Sequence, residues 1–172
     1  MTAAAHYRMF ARYNAWANQR LYDAASQLTG EQYRADRGAF FKSVHGTLNH
    51  LLVTDRIWMQ RFSGQGDAPD RLDAILFETF EQLRLVREAE DRRIIRWVEA
   101  LDDRRIAGTI KYRRVSSPDQ FEQQLSLALA RTGSVTRPII RGQVHALLTR
   151  LVGKAPELDL LYFQRLSAKP GG

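Results

Sequence analysis

Four histidines and no cysteine set the chemistry this chain can draw on. The missing thiols exclude disulfides, cysteine–zinc sites and thiol nucleophiles, and leave imidazole and carboxylate chemistry open. His50 comes first, because it lies in SVHGTLNHLLVTDRIWMQRF, residues 43–62, the most apolar long stretch of the chain. At about 100° per residue it falls beside Thr47, Thr54 and Ile57, at the edge of a stripe formed by Val44, Leu48, Leu51, Trp58 and Phe62. The spacing predicts an imidazole in a seam between helices, either as a metal ligand or as a satisfied structural residue. Asp55 lies near the middle of the same stripe, where an unpaired carboxylate is costly. It therefore needs a partner, an arginine or a backbone donor, and reads as structural. His45 sits five residues before His50 and faces elsewhere, and His6 belongs to another helix.

The elements that must position these residues follow from the apolar spacing. Phe10, Tyr13, Ala17, Leu21, Ala24 and Leu28 recur at three and four residues, predicting a first helix over 6–28 that Thr29-Gly30 ends. Residues 31–42 form a connector with room for a short helical turn, and Phe40-Phe41 is expected to cap one end of the core. Ser43 is a good N-cap for the second helix, which should be central because Leu52, Val53, Ile57 and Met59 extend its apolar surface almost all round. SGQGDAPDRLD, 63–73, reads as a loop, followed by a third helix over 74–101 whose charged middle, 87–93, should face solvent. Residues 102–120 lack a helical period and suit an irregular connection or a small hairpin. Helical spacing resumes with Phe121, Leu125 and Leu129, and again with Val144, Leu147, Leu148 and Leu151. A turn at 153–156 and a short terminal helix at 157–166 close the chain. The predicted fold is an all-α four-helix bundle.

Composition narrows the function classes. With 172 residues and 44% hydrophobic residues, the chain suits one domain with a substantial core. No apolar run approaches the ~20 residues of a membrane span, and the start MTAAAHYRMFARYNAW lacks the apolar core of a signal peptide, so a cytoplasmic location is expected. The net charge of +7 raises nucleic acid as a partner, but the basic residues are scattered apart from Arg104-Arg105 and the cluster at 111–114. A solvated basic surface is the simpler reading.

Four stretches together, ARYNAWANQRLYDA, SVHGTLNHLLVTDRIWMQRFSG, RGQVHALLTRL and PELDLLYF, resemble the DinB/YfiT-like family of metal-dependent bundle proteins over nearly the whole chain, 1–172. The resemblance implies a single four-helix bundle domain, a homodimer, and a divalent metal, zinc or nickel, held by three histidines. The match to the second-helix ligand is His50. The other two ligands belong to a last-helix run resembling N-H-Q-T-H-H-R-G-Q, in which histidines four residues apart share one helix face. Related proteins act as hydrolases, thiol transferases and thiol-dependent isomerases, and three imidazoles leave open coordination positions for a water or thiolate. Arg141 and Gln143 become candidates for orienting substrate or ligands, with solvent-facing structural roles as the alternative.

Here the sequence departs from the family. Aligned on Arg141-Gly142-Gln143, the two last-helix ligand positions hold Thr136, a weak neutral oxygen donor, and Ile140, which has no donor atom. His145 lies five residues beyond Ile140, about 140° round the helix. The segment 131–140, RTGSVTRPII, also places Gly133 and Pro138 where one continuous helix is expected, at a cost of ~1 and ~3 kcal/mol. Back-translated with suitable synonymous codons and read one base earlier, it becomes S-H-W-F-S-H-Q-T-H-H, the family's run, and the frame returns at Arg141. The segment thus reads as a compensated frameshift, a sequencing error or a lesion in the gene, with a divergent loop arisen by substitution as the alternative. As it stands the metal site is broken, and a metal-free binding module or inactive member competes with the metalloenzyme reading.

Overall fold

In the computed structural model, which describes residues 2–115, 117–130 and 137–168, four long helices carry the fold: α1 (Ala3–Ala25), α3 (Val44–Ser63), α4 (Phe80–Glu99) and α7 (Arg137–Val152). The helices α1 and α3 each pack against both α4 and α7, which closes a ring in the order α1, α4, α3, α7. The short helices α2 (Gly30–Arg34), α5 (Asp103–Ile106) and α6 (Leu125–Ala130) lie in the connections, and α8 (Leu160–Ala168) follows α7. The architecture is mainly α, as the spacing predicts. Among the described residues no helix is long and apolar enough to cross a membrane.

Two apolar clusters fill the bundle. One joins Leu21 and Tyr22 of α1 to Leu48 and Leu52 of α3, Leu83 of α4 and Leu148 of α7. The other joins Met59 and Phe62 to Ile94, Val98 and Leu129. On α1 the buried face keeps Ala17 and Leu21 of the expected stripe and extends to Ala11, Asn14, Asn18, Tyr22 and Ala25, while Phe10, Tyr13 and Ala24 are only partly buried. Tyr13 lies at its edge, where its ring meets Phe163 of α8.

Ser43 caps α3 as its position predicts, with its hydroxyl oxygen accepting from the Gly46 N–H at 3.1 Å. Gly64, at φ 70°, ends the helix in the left-handed conformation that glycine adopts freely. Gly46 is required for a different reason, since a Cβ there would collide with the Phe41 carbonyl oxygen, and only glycine lets the preceding turn press against α3. The Phe40-Phe41 expectation splits, because Phe40 is 82% exposed whereas Phe41 lies flat on His50.

Three expectations need correction. The loop after α3 runs on to Thr79, whose side chain caps α4, and Asn49 of α3 holds 76–77 outside the helix by accepting from both backbone N–H groups. Phe121 is not helical: it lies in strand β2 (Ser117–Gln124), opposite Tyr112 of β1 (Thr109–Arg114), in an antiparallel hairpin. The charged middle of α4 does not face solvent as a whole, since Arg87, Glu90 and Asp91 are buried. The segment 131–136 lies outside the described residues. α7 begins at Arg137, so Pro138 falls in a first turn, where proline is tolerated.

Candidate functional site

The site is built on α3, by the turn before it and the loop after it. His50 is 6% exposed. Its Nδ1 lies 2.6 Å from the Leu72 carbonyl oxygen in the loop between α3 and α4. A carbonyl can only accept, so Nδ1 carries the proton and Nε2 of the neutral ring keeps its lone pair. Among the described residues Nε2 has no hydrogen-bond partner. The Phe41 ring stacks on the imidazole at 3.7 Å between centroids and 19° between planes. Burial lowers the His50 pKa, against smaller opposing effects from the Leu72 carbonyl and Asp55, which favours the neutral form. A buried, neutral, oriented imidazole with one bare nitrogen is the state from which histidine binds a metal.

The other histidines do different work. His45 approaches the Phe77 carbonyl with Nε2 at 2.9 Å and the Arg34 guanidinium with Nδ1 at 3.3 Å, so both ring nitrogens are engaged. His6 is exposed and packs edge-on against Tyr7 and Phe10. His145 sits half-buried on α7. Ile140 packs against the cluster that contains Leu48 and Leu51 of α3, which brings the start of α7 to the helix that carries His50. Thr136 lies outside the described residues. Among the described residues no group of three His, Cys, Asp or Glu is placed to hold a metal ion.

One turn beyond His50 the bundle contains a feature that the spacing did not reveal. Arg87 Nη1 donates to Asp55 Oδ2 at 2.6 Å, and Arg87 Nη2 lies 2.9 Å from Asp91 Oδ1. Asn18 Nδ2 donates to Asp91 at 2.9 Å, and Asn14 Nδ2 does so at 3.3 Å. Arg141 completes the chain of contacts, donating to the side-chain oxygens of Asn14 and Asn18. All six side chains are buried, and together they link α1, α3, α4 and α7. Burial opposes the Arg87 charge, but Asp91 and Asp55 more than offset it, so its pKa is raised. Burial also raises the Asp91 pKa, against the pull of Arg87. The sequence did hold a partial signal: Leu83, Arg87, Glu90, Ile94 and Val98 recur at three and four residues, so Arg87 and Glu90 occupy positions on the apolar stripe, whereas Asp91 falls at its edge. Gln143, the other candidate on α7, is half-buried, and its Oε1 has no hydrogen-bond partner among the described residues.

A ring of four helices with polar groups projecting into the seams defines the class: a helical bundle that builds sites between facing helices. The DinB family model matches residues 1–128, and the chain belongs to that family. Over 53 residues the chain is 34% identical to a protein described as Protein DinB from Bacillus subtilis (strain 168), a stretch covering 31% of this chain and 31% of that one. The match thus spans under a third of that relative's length. No solved structure matches the chain.

Proposed function

We propose that this chain is a DinB-family bundle whose three-histidine metal centre is interrupted at the last helix, with His50 the remaining ligand. The observation that carries this reading is the state of His50: buried, neutral, protonated at Nδ1 by its bond to Leu72, and without a hydrogen-bond partner at Nε2 among the described residues. The residues present do not make the ligand set, because Ile140 has no donor atom, Thr136 offers only a neutral oxygen and His45 has both nitrogens engaged. Tight binding of zinc or nickel is therefore not expected of the sequence as it stands, and no reaction step is assigned through a metal.

The interruption is read as a compensated frameshift over 131–140. The family match runs to residue 128, just short of this segment. The shifted frame supplies histidines at 136 and 140 together, and removes Gly133 and Pro138 in the same step. With that run intact the reading becomes a homodimeric metal-dependent hydrolase or thiol transferase, with the seam between α3 and α7 as its pocket. Arg141 would then hold α7 in register with α1, through the contacts it makes with Asn14 and Asn18, and Gln143 would orient ligands or substrate. With RTGSVTRPII genuine, the chain is a metal-free binding module or an inactive member.

Peptide mass spectrometry across 121–150, on protein from the native source, separates the two. Peptides carrying the histidine-rich run restore the three ligand positions and make the metalloenzyme the reading, and peptides carrying RTGSVTRPII refute the sequencing-error account. Light scattering on the same sample tests the homodimer.

A further inference from the structure

The loop that delivers Leu72 to His50 also passes the C-terminal end of α3. There, with the β1–β2 hairpin, it borders a cleft of about 360 Å³. The cationic residues bordering this cleft are Arg61, Lys111, Arg113 and Arg114. Lys111 has an acidic partner, Glu122 at 3.5 Å. Arg61, Arg113 and Arg114 form no ion pair among the described residues.

Arg61 is held in a defined orientation. Its guanidinium carbon lies 4.6 Å from the Trp58 ring centroid and 4.8 Å from that of Tyr112. Its Nη2 donates to the Arg113 carbonyl at 2.8 Å. The remaining guanidinium N–H groups have no acceptor among the described residues. Arg114 is placed in turn by the Phe121 ring, 4.2 Å from its guanidinium carbon. A helix-to-hairpin clamp would account for Arg61 alone. It does not account for two more unpaired arginines on the same cleft, where like charges repel and the potential is focused. Burial lowers the Arg61 pKa, with Tyr112 opposing and Arg114 adding to the decrease, which is the cost of a cation kept without a counter-charge.

We propose that this cleft binds a small oxyanion, a phosphate or carboxylate group of a low-molecular-weight ligand, with Arg61 as its oriented anchor and Arg113 and Arg114 as its flanking cations. A planar guanidinium already fixed by two rings and a carbonyl loses little freedom on pairing with such a group. These cationic residues border one concavity of small-molecule size, whereas a nucleic-acid surface calls for a basic stripe. The site lies about 16 Å along α3 from His50, and the inference does not depend on the metal centre.

The test is calorimetry and tryptophan fluorescence on the full chain, titrated separately with inorganic phosphate, succinate and a 12-nucleotide single-stranded DNA. Phosphate or succinate is expected to saturate one site per chain and to change the emission of Trp58 beneath Arg61. Saturation by one of the two names the oxyanion, and saturation by both shows recognition of the shared charge. The Arg113→Ala/Arg114→Ala variant, which alters exposed side chains, should weaken binding roughly tenfold or more at unchanged melting temperature. Arg61→Lys should weaken it while keeping the charge. Absence of saturable binding to both small anions overturns the proposal, as does equal affinity in the double variant. Binding to the DNA alone also overturns it in favour of a nucleic-acid surface.

Discussion

Arg87 on α4 and Asp55 on α3 meet at 2.6 Å in the middle of the bundle, both almost fully buried. Together with Asp91 they set two carboxylates against one guanidinium, and Arg141 brings the second positive charge through Asn14 and Asn18. Arg87→Ala would leave two buried carboxylates short of their counter-charge. Losing one partner of a buried ion pair costs about 3–5 kcal/mol, and urea denaturation should show a loss of that order. A loss below about 1 kcal/mol, the range of exposed pairs, would mean that water reaches the network.

The state of His50 predicts how stability changes with pH. Its pKa in the folded chain is lowered from the ordinary 6.5, so the unfolded chain takes up a proton before the folded chain does. The contribution of His50 is therefore complete above about pH 6.5 and is lost as the pH falls through that value toward the lower folded pKa. Melting temperature should decline between pH 7.5 and 5.5, and His50→Phe, which cannot titrate, should flatten that decline. An identical slope in the variant would show that other groups carry it.

How far this site could be read from the chain depends on whether its partners are local. The Ser43 cap and the need of Asp55 for a partner were legible, because a cap acts within three residues and a carboxylate on an apolar stripe announces its cost. The burial of Arg87 was legible only in its spacing to Leu83 and Ile94, and a charged run looks solvated until the partner 32 residues earlier is placed beside it; that of Asp91, which lies at the edge of this stripe, was not legible. Phe121 misled for the same reason: its spacing to Leu125 and Leu129 is helical, but pairing with Tyr112 fixes it in a strand. The tautomer of His50 depends on the carbonyl of Leu72, 22 residues away, which no periodicity encodes.

Asn49 makes the loop around His50 testable by itself. Its Oδ1 accepts from the backbone N–H groups of Leu76 at 2.9 Å and Phe77 at 3.1 Å, and it is completely buried. Asn49→Ala should cost roughly 1–3 kcal/mol, the range for buried donors left without a partner. Amide exchange at 76 and 77 should then accelerate, by roughly fivefold at 1 kcal/mol and by more than roughly 100-fold at 3 kcal/mol, tenfold corresponding to about 1.4 kcal/mol. Unchanged exchange would show that the loop is held by other contacts. Its release should also loosen Leu72 from His50, visible as a shift of the imidazole signals in NMR.

The proposed metal centre makes the sharpest prediction, because the missing donors are two named positions. The present chain should bind zinc and nickel weakly, since among the described residues the His50 Nε2 has no second donor placed beside it. Thr136→His with Ile140→His would add two imidazoles four residues apart in the sequence, the second of them on the helix that packs against α3. Calorimetry should then show affinity gained by roughly 100-fold or more, as expected when one ligand becomes three. Adding His50→Ala should remove that gain, which ties it to this site and not to a new surface chelate. A double variant with retained helical circular dichroism and no gain would show that 136 and 140 do not face His50. Tight binding by the unaltered chain would show that the centre is not interrupted.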